Sequence, residues 1–219
     1  GNDALRAGTG SDTINAGSGN DIVSSGAGGD RIFGLEGDDR IDAFYAEIEE
    51  NAIELLARES PVARDLRLVV TSLQLSASLE RTGDLAKNIA KRALVLAESE
   101  PMQPLTRSIE RMGRLVSMRL RDVLDAYTAS EVDRALAVWQ TDDEVDEHYN
   151  ALFRELLTYM MGDPRTIGAC THLLFMAKNL ERIGDHATNI AENVWFLVHG
   201  DQPLPPREKR DGTSAAGTN

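Results

Sequence analysis

The sequence has one cysteine, few aromatic residues and an excess of negative charge. Its 219 residues include 5% aromatics and carry a formal net charge of −13 at pH 7. The single Cys170 rules out an internal disulfide, and its apolar neighbours predict a buried, unreactive thiol. The lack of a basic patch argues against nucleic-acid binding. No run reaches the ~18 apolar residues that a membrane span needs.

Motifs for catalysis are also lacking. The sequence contains no phosphate-binding loop, no nucleophile elbow and no Cys/His zinc pattern, and its four histidines are scattered. We therefore predict that the chain is not an enzyme and has no catalytic residue. Its acidity fits cation binding or, more simply, solubility. No signal peptide is visible, and Gly1 lies inside a repeat, as it would in a fragment.

The first 42 residues consist of glycine and aspartate repeats with a period of nine. In each repeat an aspartate follows glycine by two residues, and an aliphatic residue follows the aspartate by two; the aspartates are Asp3, Asp12, Asp21, Asp30 and Asp39. This pattern resembles the RTX (haemolysin-type) nonapeptide. The resemblance implies a short parallel β-roll in which aspartates and turn carbonyls bind Ca²⁺. The alternative is a disordered Gly/Asp/Ser-rich leader.

Beyond residue 37 the apolar residues follow helical spacing. Alternating intervals of three and four residues predict helices packed nearly parallel or antiparallel in a bundle. Ser60-Pro61 and Asp163-Pro164 each predict an N-cap followed by proline at the first helical position, and Ser130 with Asp133 resembles a capping box. We predict five helices near residues 38–59, 62–98, 105–128, 131–161 and 165–199, and a disordered tail from residue 201.

An internal duplication organises the helical part. Residues 79–90 and 180–191 align without gaps and are identical at nine of twelve positions, and residues 38–42 resemble residues 142–146. The chain therefore holds two copies of a helical hairpin. The second copy is preceded by a helix near 105–128, whereas the first follows the glycine and aspartate repeats. We expect the first hairpin to lack a covering helix and to expose apolar surface.

Each copy carries acidic side chains one helical turn apart. Glutamate and aspartate four residues apart lie on one helix face, where like charges destabilise an isolated helix by a few tenths of a kcal/mol. A cation bridging them removes that penalty. We predict sites for a hard or borderline cation such as Fe, Mn, Mg or Ca. The expected ligands are Glu80, Asp84, Glu181, Asp185, Asp142, Asp146 and Asp42.

The alternative for these carboxylates is a solvated acidic face beside Arg81 and Arg182. Gly83 and Gly184 favour the metal hypothesis, because glycine inside a helix costs roughly 1 kcal/mol relative to alanine. Their presence in both copies predicts close approach by another backbone or by a ligand. His186, next to Asp185, is most simply a surface histidine.

The duplicated segment Leu-Glu-Arg-x-Gly-Asp-x-Ala-x-Asn-Ile-Ala resembles the PhoU family, and the similarity covers residues 37–200. It implies two pseudo-symmetric three-helix bundles with Glu/Asp-x-x-x-Asp metal sites, some holding iron-type clusters. It also implies a non-enzymatic, cytoplasmic adaptor, often a homodimer, between a Pst-type phosphate transporter and a PhoR-type sensor kinase. Such an adaptor restrains phosphate uptake and the phosphate-starvation response.

The predicted fold is mainly α, an antiparallel PhoU-like bundle of two pseudo-repeats preceded by a short β-roll-like segment. The predicted domains are RTX-like repeats over 1–42, an incomplete first repeat over 38–100, a complete second repeat over 101–200 and a tail over 201–219. RTX repeats normally belong to secreted proteins, so the two parts imply different compartments. The alternative functions are an extracellular RTX-type calcium-binding module with the helices as passengers, or a helical scaffold without a ligand.

Overall fold

The computed structural model describes residues 4–6, 13–15, 22–24, 31–33, 36–97 and 103–206. Four short strands come first: β1 (Ala4–Arg6), β2 (Thr13–Asn15), β3 (Ile22–Ser24) and β4 (Arg31–Phe33). Strand β1 pairs in parallel with β3, and β2 pairs in parallel with β4. Alternate repeats thus stack into two parallel sheets, which confirms the predicted β-roll arrangement.

The fifth predicted repeat is wrong. Gly37, Asp39 and Ile41 lie in helix α1 (Glu36–Glu59), and not in a turn and strand. The reason lies in the residues that follow, because positions 38–59 contain no glycine and are rich in Glu, Ala and Leu, which favour helix. Asp39 therefore lies in a helix and not in a repeat turn, and its role as a calcium ligand stays a prediction; the aspartates of the other four repeats lie outside the described residues.

Six α-helices make up the described helical part. After α1 come α2 (Arg64–Ala97), α3 (Gln103–Ala129), α4 (Val132–Gln140), α5 (Asp143–Gly162) and α6 (Ile167–His199), with a 3₁₀ turn before α6. The helix predicted over 131–161 is thus two helices. The Thr141 hydroxyl donates back to the carbonyls of Ala137 and Val138 at 3.1 Å, and the Arg119 guanidinium donates to the Thr141 carbonyl. These bonds replace the helical ones and allow the break.

The predicted helix starts are only partly correct. Asp163 confirms the prediction, since its carboxylate accepts a hydrogen bond from the Arg165 amide at 3.0 Å and Pro164 begins the 3₁₀ turn. Pro61 is not at a first helical position, because α2 begins three residues later. The capping box is also wrong. Ser130 has a φ of +55° and follows the end of α3, and the residue before α4 makes no side-chain cap bond.

Helix α6 is the centre of the bundle, and it packs against α2, α3, α4 and α5. In the second repeat α3, α5 and α6 enclose one apolar core, which includes the fully buried Cys170. In the first repeat α1 packs extensively on α2 alone among the described elements. Large apolar side chains of α1, including Phe44, Ile48 and Leu55, remain exposed. The missing covering helix and its consequence are confirmed.

Gly184 of α6 lies against Val145 of α5. A Cβ atom built on this glycine would lie 3.4 Å from Val145 Cγ1 of α5. The close approach predicted at this position therefore comes from a neighbouring side chain. It brings the first turn of α5 and the acidic turns of α6 against each other.

Candidate metal centre

The α5–α6 interface collects the four carboxylates predicted as ligands in the second repeat. Asp142 precedes α5 and Asp146 lies in its first turn, while Glu181 and Asp185 are one turn apart on α6. The Thr188 hydroxyl of α6 donates to Asp142 Oδ1 at 2.8 Å, which ties the start of α5 to α6.

The carboxylates of this group repel one another. Burial is the main cause that raises the pKa of Asp185, and the negative charges of Glu181, Asp142 and Asp146 raise it further. Burial also raises the pKa of Asp146 first, followed by the charges of Asp142, Glu181 and Asp143. Each shift means that loss of hydration, with a further contribution from the neighbouring negative charges, disfavours the charged form. We call Asp142, Asp146, Glu181 and Asp185 the α5–α6 acidic cluster.

Lys178 is the cation of the α5–α6 acidic cluster. Its Nζ donates to Glu181 Oε1 at 2.6 Å and lies 2.6 Å from Oε2. The hydrogen bond to Glu181 raises the pKa of Lys178, and the ammonium in turn counteracts the rise in the pKa of Asp146 and Asp185. The same ammonium lies 5.4 Å from the centre of the Tyr149 ring on α5. The Lys178 ammonium therefore offsets part of the negative charge of this cluster.

The donor set fits a cation in charge and in chemistry. Carboxylate oxygens are the ligands that hard cations prefer, and the buried Glu181 Oε2 has the Lys178 ammonium as its neighbour at 2.6 Å. The positions of the side chains are not those of a coordination sphere. Across the described ranges, no group of three or more His, Cys, Asp or Glu side chains is arranged to hold a metal ion. Metal binding thus stays a prediction.

The first repeat places its predicted ligands on a helix pair of the same kind. Asp42 lies on α1, and Glu80 and Asp84 lie on α2, which packs against α1. Asp42 and Asp84 are exposed, whereas Glu80 is half-buried. The position that corresponds to Lys178 is Ala77, so this group has no ammonium at that site.

His186 is buried, and the prediction of a surface histidine is wrong. Its Nδ1 is buried without a hydrogen bond, and the corresponding residue of the first repeat is the buried Leu85. Burial lowers the pKa of His186, and the positive charges of Arg81 and Arg182 lower it further. The imidazole is therefore neutral at pH 7 and is held apart from the acidic cluster's charge balance.

Sequence reasoning missed Lys178 and Thr188. Both contact the acidic cluster, and both differ between the two copies, where Ala77 and Lys87 stand in their places. The difference between the two copies at these positions could have identified both residues. A comparison of identical positions alone omits residues that contact the acidic side chains in only one copy.

Comparison with known proteins agrees with the duplicated helical hairpins. The family model of the PhoU domain matches residues 34–93 and 109–194. The chain belongs to the PhoU family. The RTX calcium-binding nonapeptide repeat matches residues 1–32 in four copies, which agrees with the four strands and leaves the fifth repeat to α1.

Individual PhoU relatives are similar over most of the chain. A phosphate-specific transport system accessory protein PhoU homolog of Caulobacter vibrioides is 65% identical over 171 residues, which cover 78% of this chain and 74% of that protein. The crystal structure of PhoU from Pseudomonas aeruginosa has 41% identity and a TM-score of 0.69, covering 74% of this chain and 78% of that one. PhoU from Streptococcus pneumoniae has 31% identity and a TM-score of 0.67, covering 75% and 76%.

Among the residues that the structure describes, no helix is both long enough and apolar enough to cross a membrane.

Replacing Asp185 should stabilise the metal-free protein at neutral pH. A raised pKa in the folded state gives stability that is present below the ordinary pKa of aspartate and is lost as the pH rises through the raised value. Asp185→Asn removes this loss, so we expect a gain of up to about 1 kcal/mol at pH 7, limited by solvent screening, and no gain near pH 3. Urea unfolding in the presence of a chelator measures the free energy of unfolding at both pH values.

Asp133→Asn is the matched control, since Asp133 lies in the first turn of α4, where its negative charge favours the helix. We expect this variant to be slightly less stable at pH 7. A wild-type stability that rises between pH 4 and pH 7 more than that of Asp185→Asn would contradict the mutual repulsion.

Proposed function

We propose that this PhoU protein acts as an accessory protein of phosphate transport. It restrains phosphate uptake and starvation signalling as a cytoplasmic homodimer that contacts a Pst-type transporter and a PhoR-type sensor kinase. Support comes from the similar protein of Caulobacter vibrioides, whose name describes an accessory role in phosphate-specific transport. Support also comes from the fold, since PhoU crystal structures match 74% and 75% of this chain with TM-scores of 0.69 and 0.67.

We further propose that the acidic helix pairs bind a divalent cation or an iron-type cluster. The observation that carries this proposal is the gathering of four carboxylates at the α5–α6 interface, where negative neighbours contribute to the raised pKa of Asp146 and of Asp185. Asp142, Asp146, Glu181 and Asp185 would hold the ion of the second repeat, and Asp42, Glu80 and Asp84 that of the first. A bound cation would offset the negative charge of these carboxylates. Because the ligands of the second repeat come from both helices, the ion would also hold α5 against α6.

A transport assay tests the accessory role. In a bacterial host that lacks its own PhoU protein, expression of this chain should lower phosphate uptake at high phosphate, because the adaptor restrains the transporter. The chain with Glu80→Ala, Asp84→Ala, Glu181→Ala and Asp185→Ala together should restrain uptake less. Uptake that this chain leaves unchanged, at matched and soluble expression, would count against the accessory role.

Replacing Lys178 should strengthen cation binding at the second repeat. Lys178→Met keeps the length of the side chain and removes the ammonium, so an added cation no longer competes with it for Glu181. We expect Mn²⁺ to bind several-fold more tightly, as measured by isothermal titration calorimetry at low salt. Ala77→Met places the same side chain at the corresponding position of the first repeat, where there is no ammonium to remove. Equal affinities for the wild type and Lys178→Met would contradict competition by Lys178.

Calcium binding by the amino-terminal repeats is a second candidate function. The parallel pairing of β1 with β3 and of β2 with β4 favours it, because parallel pairing between alternate repeats is typical of a calcium-binding β-roll. Millimolar Ca²⁺ should increase the β signal in circular dichroism, and Mg²⁺ at the same concentration should not. Identical spectra with and without Ca²⁺ would show that residues 1–32 do not use calcium to fold.

A further inference from the structure

One face of α1 is apolar and has no helix over it among the described residues. Phe44, Ile48 and Leu55 are spaced by four and seven residues, so they project from the same side of the helix. Phe44 is 55% exposed, Ile48 36% and Leu55 42%. We call these three residues the uncovered face. Exposed apolar residues grouped on one side of an element are typical of a contact surface.

The second repeat shows what covers the corresponding face. Counting on from the shared Asp-Asp-x-x-Asp segment, Ile48 corresponds to Leu152 of α5, which is only 3% exposed. Leu152 belongs to the core that α3 completes with its own apolar stripe, made up of Leu105, Ile109, Met112 and Val116. The greater exposure of Ile48 than of Leu152 therefore agrees with the absence of a helix like α3 over this position among the described residues. Tyr159, the counterpart of Leu55, is 37% exposed in the second repeat, so the comparison holds for Ile48.

Helices α3 and α5 of the second repeat also have net charges of opposite sign. Helix α3 carries five basic and three acidic side chains, whereas α5 carries five acidic and one basic. The buried Arg119 of α3 reaches across and pairs with Glu144 of α5 at 2.8 Å. A helix of net positive charge thus covers one of net negative charge. The α1 residue that corresponds to Glu144 is Arg40, so the comparison with α1 rests on the net charge of the helix and not on this ion pair.

The net charge of α1 indicates which kind of helix could occupy the uncovered face. Helix α1 carries nine acidic and two basic side chains, which gives it a stronger negative charge than α5. A second copy of α1 would bring like charges together, which disfavours self-association through this face. A basic helix would gain both the apolar contact and the charge attraction.

We propose that the uncovered face of α1, with the adjoining side of α2, is a docking site for a basic amphipathic helix of a partner protein. The partner helix takes the place that α3 takes in the second repeat. Its apolar residues recur every three or four positions and contact Phe44, Ile48 and Leu55, and its flanking Arg or Lys side chains face the acidic side chains of α1. This docking is independent of the role in phosphate transport.

A peptide with the sequence of residues 103–129 is a defined probe, because it has the shape and charge of the helix that covers the second repeat. Fluorescence anisotropy of the labelled peptide should show saturable binding to the full chain, weakened by added salt. Phe44→Ser and Ile48→Ser together should weaken binding at least tenfold. Leu157→Ser is the matched control, since Leu157 is equally exposed on α5, and it should leave binding unchanged.

Changes in the peptide test the same contact without altering the protein. Met112→Asp with Val116→Asp interrupts the apolar stripe, and Arg111→Glu with Arg114→Glu reverses the charge of two residues that are exposed on α3. Either pair should abolish saturable binding. The proposal is overturned if the peptide does not bind, or if neither pair affects its binding. It is also overturned if sedimentation shows a dimer that Phe44→Ser and Ile48→Ser dissociate, because a second copy would then be the occupant.

Discussion

Helix α6 has to be a core helix on nearly every side and still carry two carboxylates. It packs against α2, α3, α4 and α5, and its residues Met176, Leu180, Ile183 and Ala187 are buried. Glu181 and Asp185 lie between these positions, at the edge where α5 meets α6. Glu181 is half-buried and Asp185 is exposed, so the cost of burying a carboxylate falls mainly on Glu181. Lys178 contacts Glu181, Thr188 contacts Asp142, and the proposal of cation binding rests on the negative charge that these contacts leave in the cluster.

The two repeats solve this problem differently although their acidic residues are the same. The second has an internal ammonium, a buried core beneath α3 and a short helix, α4, that adds to it. The first has Ala77 in place of Lys178 and an exposed apolar face on α1. Divergence after duplication therefore affected the surroundings of the carboxylates more than the carboxylates themselves. We therefore expect the two proposed cation sites, which arose by duplication, to differ in cation affinity and in the residues that surround them.

Sequence alone predicted the helical class, the duplicated hairpins, the strand periodicity and the burial of Cys170, because each depends on a repeated pattern. It did not predict the break at Thr141, since this break is made by side-chain hydrogen bonds and by Arg119, twenty-two residues away, and not by proline or glycine. The fifth glycine repeat failed for a related reason: the helix that follows it extends back through Gly37. Local rules fail where a contact distant in sequence decides the backbone.

The candidate site, like the fold, was predicted only in part from the sequence. The spacing of Glu181 and Asp185 predicted one helix face, and the second acidic pair predicted the neighbouring helix. Their raised pKa values could not be predicted, since burial and the distances between α5 and α6 set them. Lys178 precedes the duplicated segment by two residues, and only the packed structure shows that its ammonium reaches Glu181.

The most direct test of the account is a pH titration of the side-chain carboxyl carbons of Asp146 and Asp185 by NMR, with and without Mg²⁺. Without the ion, both groups should titrate above the ordinary aspartate pKa of about 3.9. Saturating Mg²⁺ should lower both pKa values together, because a bound cation favours the charged form of each carboxyl group. Titration curves that Mg²⁺ does not move, at an ionic strength held constant, would contradict the assignment of the α5–α6 acidic cluster as a cation site.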